Sequence, residues 1–265
     1  MPTSTGSARL AGMSSTTSRA VAVTPSGNGL DVWASTIRRA VTEHAEQLRK
    51  GPGATLVVLS AHPDDETLGA GRLIAWWTRH AGPARAITLT AGEACLSGVG
   101  PSLVGMGARR LAEWAEAVGT LGALPEPCWG AADGRVAASL GVVAARLAQC
   151  LSGDDVVLAP WRHDPHPDHG AAGLAADAAC RSTGATLVEY PVWMTYWSRP
   201  QELADTAYRL VRVATGPEDE RTRAAALRHY RSQLEPLGTG LGPVVPAAML
   251  AHHHSQLILR PVVAR

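Results

Sequence analysis

At 265 residues the chain is long enough to bury a sizeable core as one large domain or two small ones, and we read it as one. Its 24 basic and 23 acidic residues nearly cancel and charged residues are 18% of the total, so no large electrostatic field points to nucleic acid or anionic lipid; a small neutral or zwitterionic ligand is the expected partner. No apolar run approaches the ~18 residues that span a bilayer, and the four scattered cysteines, Cys95, Cys128, Cys150 and Cys180, form no CxxC pair and read as free thiols of a reducing cytoplasm.

Residues 1–30 are a Ser/Thr/Gly-rich extension that lacks the continuous apolar core of a signal peptide, with "AVAV" at 20–23 as a segment suited to docking. From Asp31 to Lys50, Val32, Trp33, Ile37, Val41, Ala45 and Leu48 recur at helical spacing, and Gly51 suits a helix stop. "ATLVVLSA" (54–61) is a short unbroken apolar run, the pattern of a strand covered on both faces. After an acidic loop, "TLGAGRLIAWWTRHAG" (67–82) predicts a helix and "ARAITLTAG" (84–92) a second strand. The alternation continues with a helix at 107–123, a short strand in "PEPCWG" (125–130), a helix at 136–151 and a buried strand in "DDVVLAP" (154–160). Then come the loop "WRHDPHPDHGAAG" (161–173), an Ala-rich helix to about Arg181, strands in "ATLVEYPVWMTYW" (185–197) and "AYRLVRVAT" (207–215), and a helix over 217–234 with a Pro start and an acidic first turn. Strands alternating with helices predict a single α/β domain over 31–265, built on a Rossmann-like, mostly parallel sheet flanked by helices. Ligands of such sheets bind beyond the carboxyl ends of the strands.

Two charge-rich loops start at that kind of end. The first holds His62, Asp64, Asp65 and Glu66, with no cation nearer in sequence than Arg72. The second holds His163, Asp164, His166, Asp168 and His169. Asp, Pro, His and Gly are also ordinary turn residues, so one such loop alone is ambiguous; two after two buried strands point to convergence on a metal ion. A His/Asp/His set with one open position is the arrangement of catalytic zinc. Gly69, Ala70 and Gly71 lack the GxGxxG spacing of a phosphate loop.

"AHPDDE" at 61–66, followed a hundred residues later by "HPDH" at 166–169, resembles the PIG-L/LmbE-like family of zinc-dependent N-acetyl deacetylases, over roughly Thr55 to Gln233. "TLTAGEA" (88–94) and "RLAEWAEAVGTLG" (110–122) are similar to further family segments. The resemblance implies that His62, Asp65 and His169 hold Zn²⁺, or another divalent ion such as Fe²⁺. It makes Asp64 the general base, His166 the general acid or electrophile and Asp168 its orienting partner, and it suggests Arg110 and Asp133 as groups that hold sugar hydroxyls. The implied substrate is an N-acetylglucosamine-type amino sugar in a small soluble glycoconjugate, a natural-product glycoside or a glycosyl-inositol, with acyl length and oligomeric state left open. Readings in other classes are a non-catalytic nucleotide- or glycan-binding module and a metal-dependent phosphoesterase.

Glu66, at a helix start, reads as a carboxylate that caps the helix dipole or bonds backbone N–H groups rather than a ligand. His163 and Asp164 either line the mouth of the site or shape the loop, outside the catalytic set. Trp161, Trp193, Tyr196 and Trp197 offer either an apolar face for a sugar ring or aglycone or ordinary core packing. His252 to His254, being consecutive, do not alternate as ligands on one strand face would. Two departures stand out: "YRSQ" puts Tyr230 where many relatives have the histidine of HxSQ, and Asp164 stands where some thiol-pathway relatives have tyrosine, which argues against thiol biosynthesis.

Overall fold

The computed structural model describes residues 24–51, 53–96, 104–237 and 240–262, so the "AVAV" segment lies outside the described residues. In chain order the elements are α1 (Asp31–Arg39), β1 (Val41–His44), a 3-10 turn (Ala45–Leu48), β2 (Leu56–Ser60), α2 (Asp65–Gly69), α3 (Gly71–His80), β3 (Ala84–Thr88), α4 (Met106–Thr120) and β4 (Leu124–Pro125). A 3-10 turn (Val136–Ser139) then leads to α5 (Leu140–Gln149), β5 (Val156–Pro160), α6 (Pro167–Thr183), β6 (Thr186–Tyr190), α7 (Met194–Trp197), α8 (Pro200–Ala204) and β7 (Tyr208–Ala214). The chain closes with α9 (Pro217–Leu227), α10 (Arg231–Leu234), α11 (Ala247–Leu250), a 3-10 turn (Ala251–His253) and β8 (Leu257–Pro261).

All eight strands join one sheet in the order β1-β7-β8-β6-β5-β2-β3-β4, parallel except for β8, which runs antiparallel to both neighbours. β2 shows why the central strands read as unbroken apolar runs. Leu56 and Val58 enter one core with Leu73, Trp77 and Trp114 from α3 and α4, while Val57 and Leu59 enter another with Leu147, Ala172 and Ala176 from α5 and α6. Alternate side chains face opposite sides of a pleated strand, so a strand covered on both faces needs apolar residues at every position. From β2 the chain proceeds outward to β3 and β4, then returns to place β5 on the other side of β2 and moves on to β6. The boundary between β2 and β5 is therefore the topological switch point, where the loops leaving two adjacent parallel strands diverge and open a crevice. Those loops are the two charge-rich ones.

Several predicted elements come out differently: the strand expected at 125–130 is only Leu124–Pro125, and the helix expected over 67–82 is interrupted at Ala70 between α2 and α3. The helix from residue 31 stops at Arg39, and Val41–His44 pairs with β7 as an edge strand. Trp33 and Ile37 do bury one helix face, but Val41 is exposed in the strand, while Ala45 and Leu48 reach the main core from the 3-10 turn. The strand in 185–197 ends at Tyr190, because Pro191 has no N–H to continue the ladder, and Met194–Trp197 coils into α7. The helix over 217–234 breaks after Leu227, and Tyr230 stands just before the short α10 with its side chain buried. Among the described residues, no helix is long and apolar enough to cross a membrane.

The consecutive histidines diverge. His252 Nε2 donates to the Asn28 carbonyl at 3.0 Å, His254 is exposed, and His253 is buried with its pKa pushed down to about 3 by burial, Arg223 and His252. A folded pKa below the ordinary ~6.5 means the unfolded chain binds more protons in acid, so stability is lost as pH falls from about 6.5 toward 3. Urea denaturation should show the parent losing about 2 kcal/mol more between pH 7 and pH 5 than His253→Leu. Parallel losses in the two proteins would show that His253 does not set this slope.

Candidate metal centre

The loop after β2 presents His62, Asp64 and Asp65, and the loop after β5 presents Asp164, His166, Asp168 and His169; β2 and β5 pair in register from Leu56 with Val156, which brings the two loops face to face. His62 Nδ1 lies 3.2 Å from His169 Nε2 and 3.6 Å from Asp65 Oδ2, and His169 Nε2 lies 3.1 Å from Asp65 Oδ1. Ligand bonds of 2.0–2.2 Å in tetrahedral geometry put donor atoms about 3.4 Å apart. The spacings of the two imidazoles and the Asp65 carboxylate, which turns a different oxygen to each ring, are of the size a divalent ion such as zinc requires. His166 stands beside this set, its ring stacked on His169 at 4.6 Å between centroids, with a ring nitrogen within 4.8 Å of those of His62 and His169.

The charges of the centre compensate one another. Although burial works against it, His169 is held up at about 9 by Asp65 and Asp164, and His62 is raised by Asp133, Asp168 and Asp65. Burial likewise opposes the ionised form of Asp65, yet His169 and His62 hold its pKa well below the carboxylate range. A cation at this spot would take over from the imidazole protons, because metal ligation requires neutral imidazole.

Each proposed imidazole ligand is backed by a carboxylate on its other nitrogen, the arrangement that sets ring orientation and tautomer in metal sites. His62 Nε2 lies 3.1 Å from Asp133 Oδ1 and 3.3 Å from Asp168 Oδ2. His169 Nδ1 lies 3.0 Å from Asp164 Oδ1. The carboxylates are anchored to backbone in turn. Asp168 accepts from the N–H groups of Gly134 and Val136 at 2.7 and 3.0 Å, and Asp133 accepts from Ala94 at 2.7 Å. Asp164 Oδ2 accepts from Val192, Trp193 and Met194 at 3.1, 3.0 and 3.3 Å. The side chain of Asp168 therefore reaches His62 rather than His166, whose Nδ1 instead accepts from the Asp168 backbone N–H at 3.3 Å, at the start of α6. Asp164, set aside as a loop-shaping residue, is the group that orients His169.

Asp64 has φ +137° and is the one non-glycine residue with positive φ among the described residues. Such backbone costs on the order of 1–3 kcal/mol and persists only where its surroundings enforce it. Arg110 does so: its Nη2 donates to the Pro63 carbonyl at 3.0 Å and to Asp64 Oδ2 at 3.3 Å, and its Nη1 donates to the Gly92 carbonyl at 2.9 Å. Burial pushes the Asp64 carboxyl up to about 7, with Arg110 pulling the other way. The guanidinium proposed to hold sugar hydroxyls is thus largely engaged by the loops, leaving its buried Nε without a partner among the described residues. Gly92 makes room for it. With φ +64°, a Cβ there would overlap Arg110 Nη1 and lie 2.7 Å from Nε. Gly92→Ala should destabilise the fold by about 2 kcal/mol or more and lower any turnover that depends on Asp64. An unchanged thermal midpoint would contradict this packing.

Glu66 stands in the first turn of α2 with a backbone N–H on its carboxylate and makes no contact with the donor set. It is fully buried and accepts from Tyr230 Oη at 2.5 Å, Thr67 Oγ1 at 2.7 Å and Trp114 Nε1 at 3.2 Å, with burial raising its pKa. That network gives Tyr230 its place in this chain. His163 is exposed against Trp161 and Tyr208, while Trp161 and Tyr196 pack in the cores. Trp193 and Trp197 stack at 4.3 Å and line a cavity of about 340 Å³ together with His62, Asp64, Asp65, Arg110, Asp133 and His166.

The family described as PIG-L: GlcNAc-PI de-N-acetylase matches residues 57–180, a span that contains both motif loops. A conserved protein of Thermus thermophilus, TT1542, is similar at 28% identity over 68% of this chain and 79% of that one, with a TM-score of 0.50. The zinc-inhibited form of teicoplanin deacetylase Orf2 (18% identity, 68% of this chain and 85% of that one, TM-score 0.56) shares the fold. So does the A40926 pseudoaglycone deacetylase Dbv21 (20% identity, 81% and 100%, TM-score 0.55). No curated protein matches the chain.

Proposed function

We propose, from the premise that this is a PIG-L-family protein over residues 57–180, that the chain is a metal-dependent amide hydrolase. Its substrate in this reading is an N-acetylglucosamine-type amino sugar in a small soluble glycoconjugate, from which it removes the N-acetyl group. The observation that carries the reading is the convergence of His62, Asp65 and His169 at ion-binding spacing, with His62 and Asp65 lining one cavity together with Asp64 and His166. That teicoplanin deacetylase and the deacetylase of the A40926 pseudoaglycone share the fold is consistent with a natural-product glycoside as substrate.

His62, Asp65 and His169 would hold a divalent ion, zinc or iron, which would supply Lewis acidity and a water of near-neutral pKa. Asp64 accepts the proton of the attacking water; a carboxyl pushed by burial to about 7 is matched to that task near neutral pH. His166 is held down at about 4 by burial and the two neighbouring imidazoles, so it is neutral at pH 7. Its Nδ1 accepts from the Asp168 N–H, which leaves the proton on Nε2. His166 therefore serves as an uncharged hydrogen-bond donor to the developing oxyanion, and Asp64 carries the proton on to the leaving amine. Asp133 and Asp168 keep the His62 ring in place, and Asp164 does the same for His169.

The test is a panel of N-acetylglucosamine conjugates incubated with zinc-loaded protein and scored by mass for loss of acetyl, alongside metal analysis. Stoichiometric metal with acetyl release is expected. A folded chain that takes up no divalent ion, or one that releases phosphate from phosphoryl esters but no acetyl, would overturn the reading.

A further inference from the structure

The cavity has a polar floor and an apolar wall, and part of the wall comes from outside the residues that match the family. The floor holds His62 and Asp65 of the metal centre with Asp64, Arg110 and His166; the wall holds Trp193, Trp197, Val244, Val245 and Pro25. Pro25 and Thr24 belong to a segment that precedes α1 and is fastened on two sides. At one end the Thr24 hydroxyl donates to the Val244 carbonyl. At the other, Asn28 Nδ2 donates to the Ser198 carbonyl at 2.6 Å, the Asn28 N–H donates to the Tyr196 carbonyl at 2.7 Å, and His252 Nε2 donates to the Asn28 carbonyl at 3.0 Å. Gly27 lies flat against Tyr196, where a Cβ would come within 2.7 Å of ring atoms. Residues 24–28 thus tie the α7 side of the cavity to the 244–245 side.

We propose that residues 24–28 are a specificity strap, which with Trp193, Trp197, Val244 and Val245 forms a subsite for an apolar group carried by the amino sugar. The inference rests on the amino-sugar reading above and adds to it the chemical class of the rest of the substrate. Stacked indoles offer a wide, rigid apolar face, and among the described residues nothing charged stands on that wall, so a polar or ionic substituent would lose its water without gaining a partner there. An apolar substituent gains about 25 cal/mol for each Å² it buries, so a benzyl-sized group is expected to raise affinity at least tenfold.

The experiment is calorimetric binding to the full-length chain of methyl, benzyl and octyl N-acetylglucosaminides and of N-octanoylglucosamine, in the parent, Asn28→Ala and Gly27→Val. Both substitutions loosen the strap from behind without removing a group that lines the cavity. The parent should bind at least one apolar ligand at least tenfold tighter than the methyl glycoside. Both variants, with folding verified by thermal denaturation, should cut that preference below threefold while methyl glycoside affinity stays within twofold. Preference for the glycosides would place the apolar group on the aglycone, and preference for N-octanoylglucosamine would place it on the acyl chain; either supports the subsite. No preference in the parent, or the same preference in both variants, would overturn it. Binding without acetyl release from any ligand would count against the hydrolase reading and leave the strap's role standing, so the two failures are distinguishable.

Discussion

Asp64→Asn is expected to lower kcat/KM for acetyl release by about a thousandfold or more, roughly 4 kcal/mol of transition-state stabilisation, while metal content stays at the parent's level. A positioned general base contributes about 10²–10⁴-fold, and an amide cannot accept the proton. The substitution should otherwise be quiet. Asparagine has the volume of aspartate, can turn its oxygen toward Arg110 Nη2, and is among the residues that tolerate positive φ. None of the three close donor contacts of the centre involves Asp64. Single-turnover kinetics with metal analysis on the same preparation checks both halves of the expectation. A variant that keeps full metal and more than a tenth of parental turnover would remove Asp64 from the role of base.

Much of the fold was legible in the sequence because β2 and β5 are buried on both faces and so carry unbroken apolar runs, and because the loops that follow them concentrate charge that turns do not need. What periodicity could not show was where the chain stops obeying it. Val41, Ala45 and Leu48 continue a helical spacing past Arg39 although the backbone has already left the helix to pair with β7. The antiparallel β8 was missed because Leu257–Pro261 is a short run that earns its place only from β6 and β7 beside it. The same limit applied to the site. In sequence, Arg72 is the nearest cation to the acidic loop, yet it pairs with Glu220, and the loop's counter-charge arrives in space as Arg110. Asp164 looked like a turn residue because what identifies it, three backbone N–H groups after β6 and the ring of His169, becomes visible only once β5 and β6 lie side by side.

The two aspartates of the first loop, and the one that orients His169, should separate cleanly by metal content. In Asp65, Oδ2 accepts from the N–H groups of Ala61 and His62 at 3.0 and 2.8 Å, while Oδ1 faces His169 Nε2. Asp65→Asn must keep its single oxygen on those two donors, so its NH₂ group takes the ligand position, 3.1 Å from His169 Nε2, and hydrogen-bonds the lone pair that a metal would use. That variant is expected to lose metal on dialysis altogether. Asp164→Asn faces a different conflict: its two carboxylate oxygens meet the His169 ring nitrogen and four backbone N–H groups, from His166, Val192, Trp193 and Met194. Either orientation of an amide sets its NH₂ against donors, which costs about 1–3 kcal/mol and lets the His169 ring turn. Loss of an outer partner of this kind weakens metal binding 10–100-fold, so a chelator competition should rank Asp64→Asn with the parent, Asp164→Asn below it and Asp65→Asn without measurable affinity. Equal metal loss in the Asp64 and Asp65 variants would refute the division of base from ligand. Full metal affinity in Asp164→Asn would show that His169 is held by packing alone.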